Sequence, residues 1–444
     1  MKSDDESLKK VYLPAQLALK YHPFYKGKIE VVPKVPVHSF DDFAIWYTPG
    51  VAEACKSIVA RPNAVFENTN KWNTVAIVTD GTRILGLGDI GPEAGLPVME
   101  GKSLLYKYLG GVDAFPLALG TKKSEEIISA VKWIQPSFGG INLEDIAQPK
   151  CFEILDALKD QLEIPVWHDD QQGTGTVVLA GFINSLKVVG KKISEVKIAM
   201  IGAGAANVAL ARLLMLAGAK AGNIILVDSK GTLHRNRKDL EHTSPKKWEL
   251  CQITNSEGKQ GGKEVAIAGA DACIALSTPG PGVVTKEMVS KMSDGSIVFA
   301  CANPVPEIWP WEAAEAGAAV IATGRSDFAN QLNNSLGFPG IFRGTLDVRA
   351  RIITDEMCLA AAYELAKLAE ERELSEKNII PTMDDWEVFP REATAVALKA
   401  IDLGVARVKR TRDELFENAR SIIKRSREEA GSLMRGGFIQ EFPI

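Results

Sequence analysis

The sequence predicts an α/β protein of two domains. Residues 1–163 form an N-terminal α/β domain, and residues 164–444 form a Rossmann-type domain with a doubly wound parallel sheet and C-terminal helices. At 444 residues the chain is longer than a single hydrophobic core supports. Short apolar segments also alternate with helix-forming segments, and this alternation produces parallel sheets with helical crossovers.

The first domain is predicted from apolar segments that end at turn residues. A helix over 12–20 and an extended arm over 31–37 come first, and Thr48 and Pro49 then start a helix that places Tyr47 just ahead of it. A strand over 74–81 turns at Asp80-Gly81 into a return strand over 83–88. A helix beginning at Lys102 follows, and the later elements are a strand over 114–119, a helix over 124–134, a strand over 138–143 and a helix over 150–161.

The second domain opens on a strand that ends at acidic residues and turns through glycines into a long helix, over 164–176. A strand, glycine turn, helix and strand follow over 197–227, which is a βαβ unit. Further strands are predicted over 272–276, 296–300 and 318–322, with a polar insertion over 232–263 and C-terminal helices over 360–372 and 410–430.

Composition gives no reason to expect nucleic-acid or membrane binding. The formal net charge is -4, and no apolar run reaches the length of a membrane span. The six cysteines are scattered without a C-x-x-C pair, and they are expected to be reduced and buried. The opening residues lack the apolar run of a signal peptide, so we expect a cytoplasmic protein.

The glycine loop after the strand over 197–201 predicts a bound dinucleotide. Gly202 and Gly204 allow a tight turn beside a pyrophosphate, and Ala205, Ala206 and Asn207 open the following helix. Asn207 replaces the usual small residue, so helix packing is expected to loosen there. Asp228 lies 24 residues after Gly204, where an acid binds the ribose 2′-hydroxyl of NAD. Lys230 could meet a 2′-phosphate, so NADP stays open.

Two acidic pairs end predicted strands, Glu144-Asp145 and Asp169-Asp170. Carboxylates that converge at the carboxyl edge of a sheet repel one another unless a cation neutralises them, and oxygen ligands suit Mg²⁺ or Mn²⁺. The alternative is that these acids cap helices and face solvent. The residues alone leave both interpretations open.

Five other side chains are candidates for catalysis or substrate binding. Lys102 at a helix start would have a lowered pKa and could act as a base. Arg83 could clamp a carboxylate, and Tyr47 could donate a proton. Asn303 and Asn334 could donate hydrogen bonds to a small acid. Each also has an ordinary structural explanation, as a surface lysine, a surface ion pair, a packed ring or turn asparagines.

Together these stretches resemble the malic enzyme family, in its short prokaryotic form. The matching stretches run in family order from about residue 45 to residue 345: Tyr47-Thr48-Pro49-Gly50-Val51-Ala52, Arg83 to Asp89, Gly95 to Lys102, Asn142-Leu143-Glu144-Asp145, His168 to Thr174, Gly202-Ala203-Gly204, Asn303-Pro304, and Asn333-Asn334 with Phe338-Pro339-Gly340.

The resemblance implies the oxidative decarboxylation of L-malate to pyruvate and CO₂ with reduction of NAD(P)⁺. The N-terminal domain is then the catalytic domain, and Glu144, Asp145 and Asp170 hold Mg²⁺ or Mn²⁺. Lys102, helped by Asp169, is the implied base. The remaining implied roles are Tyr47 as the acid, Arg83, Asn303 and Asn334 as substrate ligands, and Asn303 also as a residue of the cofactor site.

The resemblance also suggests a homodimer. Two alternatives to the predicted activity remain. A malolactic lyase of the same family would keep NAD bound and release lactate. A dinucleotide-sensing protein with a relic site would be expected to have lost some of the catalytic set, which is intact in this sequence.

Overall fold

Two largely parallel sheets organise the chain in a computed structural model that describes residues 2–443, which confirms the predicted α/β class. The first sheet has four strands, which are β1 (Thr74–Thr79), β2 (Asp113–Ala118), β3 (Gly140–Leu143) and β4 (Val166–His168). Their order is β2-β1-β3-β4 and every pairing is parallel. All of their carboxyl ends therefore lie at one edge.

Seven helices accompany this sheet in the described part of the chain. They are α1 (Lys2–Tyr25), α2 (Phe43–Trp46), α3 (Val51–Ala60), α4 (Val65–Asn68), α5 (Pro92–Gly110), α6 (Ser124–Ile134) and α7 (Lys150–Lys159). The helix α5 is the one that brings a buried lysine to the carboxyl edge of the sheet.

The second sheet has six strands in the order β10-β9-β8-β5-β6-β7. They are β5 (Ile198–Ile201), β6 (Ile224–Asp228), β7 (Gly231–Thr232), β8 (Ala272–Ala275), β9 (Ile297–Ala300) and β10 (Val320–Thr323). Only the short β7 pairs antiparallel among these described strands. The chain order reverses between β5 and β8, and ligands bind at such a switch point, outside the carboxyl ends of the strands.

Ten helices belong to the region after β4. They are α8 (Thr174–Val188), α9 (Ala205–Leu216), α10 (Pro245–Ile253), α11 (Lys263–Ile267), α12 (Lys286–Val289), α13 (Pro310–Glu315), α14 (Phe338–Asp347), α15 (Asp355–Glu370), α16 (Val388–Asp402) and α17 (Arg412–Arg435). Across residues 2–443, none of the helices combines the length and apolar character that a membrane span requires.

The sequence prediction of a hairpin after residue 79 is wrong. The strand β1 is buried along its whole length and pairs on both sides with parallel strands, so no free edge is available for a return strand. Residues 83–88 instead curl into a tight loop closed by a single bridge between Ile84 and Gly88.

Two predicted helix starts are also displaced. The helix expected at Thr48 begins at Val51. The helix expected at Lys102 begins at Pro92, so Lys102 lies in its interior, and no positive helix end acts on this amine. The predicted start of this helix is too late because proline and glycine usually interrupt helices. The helix α5 nevertheless contains both Pro97 and Gly101.

The first sheet extends past the predicted domain boundary at residue 163. Its last strand, β4, begins at Val166, so a boundary that keeps this sheet whole lies after His168. The C-terminal helices do not stay with the second sheet either. Both α14 and α17 pack on α5, which joins the end of the chain to the first domain.

A buried arginine fixes the contact between α14 and the first domain. Arg343 is fully buried, its Nε and Nη2 lie 2.9 Å and 2.7 Å from Asp347 Oδ1, and its Nη1 donates to Asn73 Oδ1 at 2.5 Å. Burial raises the pKa of Asp347 although Arg343 opposes it. Arg343 is therefore the main counter-charge of the Asp347 carboxylate, and Asn418 and Arg410 add smaller effects.

We expect Arg343→Met to lower the free energy of unfolding by about 3–5 kcal/mol, because it leaves the Asp347 carboxylate buried without its partner. Urea denaturation measures the change. The matched control is Arg425→Met on α17, where an exposed pair with Glu429 is lost, and about 1 kcal/mol or less should follow. Equal losses in the two variants would contradict this assignment.

Candidate active site

The carboxyl edge of the first sheet gathers the acidic residues. The parallel register places Leu143 opposite His168, so the residues that follow each strand, Glu144 and Asp169, leave the sheet side by side. Asp170 Oδ2 accepts a hydrogen bond of 2.9 Å from the backbone N–H of Asp145. The two acidic pairs that the sequence analysis identified therefore meet at one place.

Three of these carboxylates form a group that could hold a metal ion. Ligand atoms of Glu144, Asp145 and Asp170 all lie within 4.8 Å of one another. One carboxylate oxygen of Asp145, Oδ2, is buried without a hydrogen-bond partner among the described residues. Asp145 also has a positive φ of 53°, a backbone conformation that costs energy in a non-glycine residue and often accompanies function.

The electrostatics of the three carboxylates fit a bound cation. Burial, reinforced by Asp170, raises the pKa of Asp145 to about 8. Burial raises the pKa of Glu144 well above its usual range, and the neighbouring aspartates add to the shift despite Lys102. A divalent cation would stabilise the charged forms, and an all-oxygen donor set suits Mg²⁺ or Mn²⁺.

Lys102 lies between the two acidic pairs. Its Nζ is 2.5 Å from Asp169 Oδ2 and 2.5 Å from Glu144 Oε2, and it stands 4.6 Å from the ring centroid of Phe338. Burial favours the neutral amine, but Asp169, Glu144 and Asp170 outweigh it and raise the pKa of Lys102. The pKa of Lys102 is therefore raised, whereas the sequence analysis predicted that it would be lowered.

Asp169 is held rigidly by donors from three directions. It is fully buried, and its carboxylate accepts hydrogen bonds from Lys102, from the Trp167 indole at 3.0 Å and from the Asn334 side chain. A side chain at Gly173 would collide with it, because a Cβ there would lie 2.0 Å from Asp169 Oδ1. The glycine after the acidic turn is therefore needed for close packing on this carboxylate.

The structure brings two of the three predicted substrate ligands close to this group. Asn334 contacts Asp169, and the backbone N–H of Arg83 donates to the carbonyl oxygen of Asp145 at 2.9 Å. The Arg83 side chain is exposed and donates to Leu85 O. Asn303 lies in the second domain, and its backbone oxygen would be 2.9 Å from a Cβ built on Gly86. The loop that carries Arg83 therefore touches the loop that carries Asn303.

Tyr47 is not brought to the acidic cluster. It directly follows α2, its side chain is 70% exposed, and no hydrogen bond joins its hydroxyl to another described residue. Thr48-Pro49-Gly50 forms a turn between α2 and α3 in place of the predicted helix start.

The glycine loop of the second domain has the geometry of a dinucleotide site. Gly202 has a φ of 93°, and a Cβ there would lie 2.6 Å from Leu276 O, whereas the space beside Gly204 is open. Ala205 and Ala206 begin α9. Asn207 does not loosen the packing as predicted, because it is fully buried and its side-chain amide donates to Ile201 O and Gly202 O.

Asp228 ends β6, and an arginine that the sequence analysis missed is paired with it. Arg237 Nη1 and Nη2 lie 3.0 Å and 2.8 Å from the two Asp228 oxygens, and Arg237 also binds Asp239. Burial works in the opposite direction, but the Arg237 guanidinium and the Lys230 amide hold the pKa of Asp228 below its usual range. No motif spacing indicated Arg237, which lies in the polar insertion after β6.

Comparisons with known proteins agree with this geometry. The family described as malic enzyme, N-terminal domain, matches residues 26–126 and 120–159, and the family described as malic enzyme, NAD binding domain, matches residues 171–401.

Similar proteins cover most of the chain. The bifunctional malic/malolactic enzyme of Bacillus subtilis (strain 168) is 48% identical over 91% of this chain and 97% of its own length. The NAD-dependent malic enzyme of Geobacillus stearothermophilus is 52% identical over 86% of this chain and 78% of its own. The crystal structure of Entamoeba histolytica malic enzyme superposes with a TM-score of 0.96 at 47% identity, covering 100% of this chain and 93% of that one. The chain belongs to the malic enzyme family.

Proposed function

We propose that the protein catalyses the oxidative decarboxylation of L-malate to pyruvate and CO₂ with reduction of NAD(P)⁺, dependent on a divalent metal. The observation that carries this proposal is the buried Lys102, held between Asp169 and Glu144 beside a three-carboxylate group. A 2-hydroxy acid needs a base for its hydroxyl proton, the role we assign to Lys102, and positive charge beside its carboxylates, which a divalent cation held by the three carboxylates would provide.

The geometry supports an assignment of the residues that would hold the metal and the nucleotide. A divalent cation bound by Glu144, Asp145 and Asp170 would offset their charge, which lowers the pKa of Lys102, and would polarise the substrate oxygens as a Lewis acid. NAD(P)⁺ bound at the Gly202 loop, with Asp228 as the ribose ligand, would accept the hydride from C2 of malate.

The side chains of the protein then have distinct tasks. Lys102 Nζ takes the proton of the malate hydroxyl, and Asp169 holds the amine in place and compensates its charge. The Arg83 guanidinium and the amides of Asn303 and Asn334 orient the malate carboxylates. After CO₂ leaves, the Tyr47 hydroxyl donates a proton to C3, the carbon to which the lost carboxylate was attached. This proton transfer yields pyruvate.

We propose NAD⁺ as the preferred nucleotide. Asp228 is a carboxylate at the ribose position, and its ionised form is favoured by Arg237, so it is suited to accept hydrogen bonds from a 2′-hydroxyl. The Geobacillus relative, an NAD-dependent malic enzyme, supports the same choice. The guanidinium of Arg237 and the ammonium of Lys230, which pairs with Asp239, are the features that keep NADP⁺ as the alternative.

A malolactic reaction is the second candidate, and the similarity to the bifunctional malic/malolactic enzyme of Bacillus subtilis favours it. The same site would serve this lyase reaction, since malate binding and the Lys102 base are common to both. The two reactions differ in product, because the malolactic reaction gives lactate and no net NADH.

We propose a homodimer in the cytoplasm, in which a second copy covers the N-terminal apolar surface, defined as residues 31–59. This surface carries a run of exposed apolar side chains: Val31, Val32, Val35, Val37, Phe40, Phe43, Ile45, Trp46, Tyr47, Val51 and Val59. Neither α2 nor α3 buries a residue. Contiguous apolar surfaces of this kind mark protein–protein contacts. Tyr47 lies within this surface, and we propose that the second copy receives its hydroxyl at the active site.

With malate and Mn²⁺, the wild-type protein should form pyruvate and NADH, faster with NAD⁺ than with NADP⁺. Lys102→Ala should lower kcat about 10²–10⁴-fold, because the base is lost, and should leave nucleotide binding intact. The control is Lys107→Ala, which removes a half-exposed lysine of the same helix.

Steady-state assays with product identification measure these effects. Lactate formation without net NADH would favour the malolactic alternative. Absence of turnover with both nucleotides would contradict the proposed function, and unchanged turnover in Lys102→Ala would contradict the assigned base.

Metal binding should stabilise the protein more at pH 8 than at pH 6. In the metal-free folded protein the pKa of Asp145 is raised to about 8, whereas an unfolded chain loses this proton near its usual value of 3.8. The folded state therefore loses stability as the pH rises toward 8, and Mn²⁺ replaces the missing proton with positive charge.

Thermal unfolding with Mn²⁺ or EDTA at the two pH values tests this expectation. Asp145→Asn should abolish the Mn²⁺-dependent rise in melting temperature, and Glu126→Gln, an exposed acid on α6, should preserve it. An equal rise at both pH values, or a rise that persists in Asp145→Asn, would show that the cation binds elsewhere.

Co-expressing Tyr47→Phe and Lys102→Ala should restore activity that neither variant has alone. If Tyr47 serves the site of the second copy, each mixed dimer contains one site with both native residues. Random pairing then gives roughly a quarter of the wild-type activity. Activity no greater than the average of the two separate variants would place Tyr47 and Lys102 in the same chain's site.

A further inference from the structure

A buried glutamate joins two loops at the carboxyl edge of the second sheet. Glu307 is fully buried, and its Oε1 accepts from the Ser277 backbone N–H at 2.8 Å and from the Ser277 hydroxyl at 3.3 Å. Its Oε2 accepts from the Ala302 backbone N–H at 3.0 Å. Ser277 follows β8 and Ala302 follows β9, so a single carboxylate bridges the ends of adjacent strands.

Backbone hydrogen bonds continue the connection between these loops, which we name the paired loops and define as residues 277–284 and 302–307. The N–H of Gly280 donates to Val305 O at 3.2 Å, and the N–H of Val284 donates to Glu307 O at 3.1 Å. Both of these hydrogen bonds join main-chain groups. Among the described residues, Glu307 is the only one whose side-chain carboxylate accepts hydrogen bonds from both loops.

One of the paired loops contacts the dinucleotide turn, and the other carries Asn303, which we propose as a substrate ligand. A Cβ on Gly202 would lie 3.0 Å from Ser277 Cβ, so the first loop touches the dinucleotide turn. The second loop carries Asn303, whose side-chain nitrogen would be 2.8 Å from a Cβ on Gly324. The Asn303 amide therefore occupies space that is free only because Gly324 has no side chain.

The first domain contacts both paired loops at one point. A Cβ on Gly86 would lie 2.9 Å from Asn303 O and 3.1 Å from Pro279 Cγ, one contact in each loop. Gly86 belongs to the tight loop that also carries Arg83. Gly86 packs against the surface of the paired loops. The position of these loops therefore determines how Arg83 and Asn303 lie relative to each other.

We propose that Glu307 is a positioning residue that holds the paired loops as one rigid unit, so that Gly86 docks on both and Arg83 and Asn303 reach the substrate in register. This inference rests on the proposed function, in which these two side chains bind malate. Glu307 touches neither substrate nor cofactor in this account, and it acts through Ser277, Ala302 and the loops that they begin.

The first test is Glu307→Gln. The amide offers one acceptor oxygen and must turn its NH₂ toward the other N–H donor, so the bridge that makes the two loops one unit is broken and both loops loosen. The kcat/KM for malate should fall about 10- to 100-fold, mainly through KM, because misplaced binding groups lose orientation. Hydrogen exchange should accelerate in peptides covering 277–284 and 302–307, and Mn²⁺ affinity should be unchanged.

The matched control is Glu312→Gln on the same segment. Glu312 also accepts a backbone hydrogen bond, from Trp309 at the start of α13, but it bonds neither paired loop. Its kcat/KM should stay within about twofold of wild type.

A second variant tests the docking without touching the carboxylate. Gly86→Ala puts a Cβ against both loops and should raise the malate KM by a similar factor, with hydrogen exchange of the paired loops unchanged. The control is Gly120→Ala, because a Cβ at Gly120 meets no atom within 4 Å and should have no effect.

Three outcomes decide the matter. Unchanged kcat/KM in a folded Glu307→Gln variant would overturn the proposal, as would faster exchange in only one loop. If Glu307→Gln fails to fold, Gly86→Ala decides, and behaviour equal to that of Gly120→Ala overturns it. Turnover of the wild type is measured in the same experiment. If the wild type has no turnover, the proposed function is refuted. If the wild type turns over and the substitutions leave kcat/KM and hydrogen exchange unchanged, only this inference is refuted.

Discussion

A lysine enclosed by carboxylates is the constraint on which the rest of the site depends. Lys102 is held at 2.5 Å from both Asp169 and Glu144, with Asp145 and Asp170 close behind. This cluster holds more acidic than basic groups, so burial and mutual repulsion raise the pKa values of Glu144 and Asp145, and the carboxylates together raise the pKa of Lys102. The same imbalance gives the site its chemistry, because a divalent cation would both satisfy the acids and release the amine to act as a base.

The two domains contribute complementary parts of the site. The first sheet supplies the acids and the helix that carries Lys102, whereas the second domain supplies the Asn334 amide, the Phe338 ring and the dinucleotide turn. The C-terminal helices bind the domains together, because α14 begins at Phe338 beside Lys102 and ends in the buried contact of Arg343 with Asn73. A shift of this helix would therefore disturb catalysis and stability together.

Sequence reasoning predicted what depends on local pattern. The alternating strands, the dinucleotide turn and the convergence of both acidic pairs at one edge followed from residue order, since the ends of parallel strands share an edge. The sequence-based predictions were wrong or incomplete where contacts between residues far apart in the chain determine the structure. Nothing local shows that Lys102 lies inside a helix that continues through Pro97 and Gly101. The partners Arg237 and Glu307 were missed for the same reason, because each is defined by bonds to another loop.

The most direct measurement is a crystal structure with Mn²⁺, NAD⁺ and a non-reacting malate analogue. Our account predicts the ion about 2.1 Å from oxygens of Glu144, Asp145 and Asp170. It also predicts that Lys102 Nζ turns from Glu144 to within hydrogen-bond distance of the hydroxyl oxygen of the analogue. An ion bound away from these three carboxylates, or a Lys102 still paired with Glu144 and remote from the hydroxyl, would contradict it.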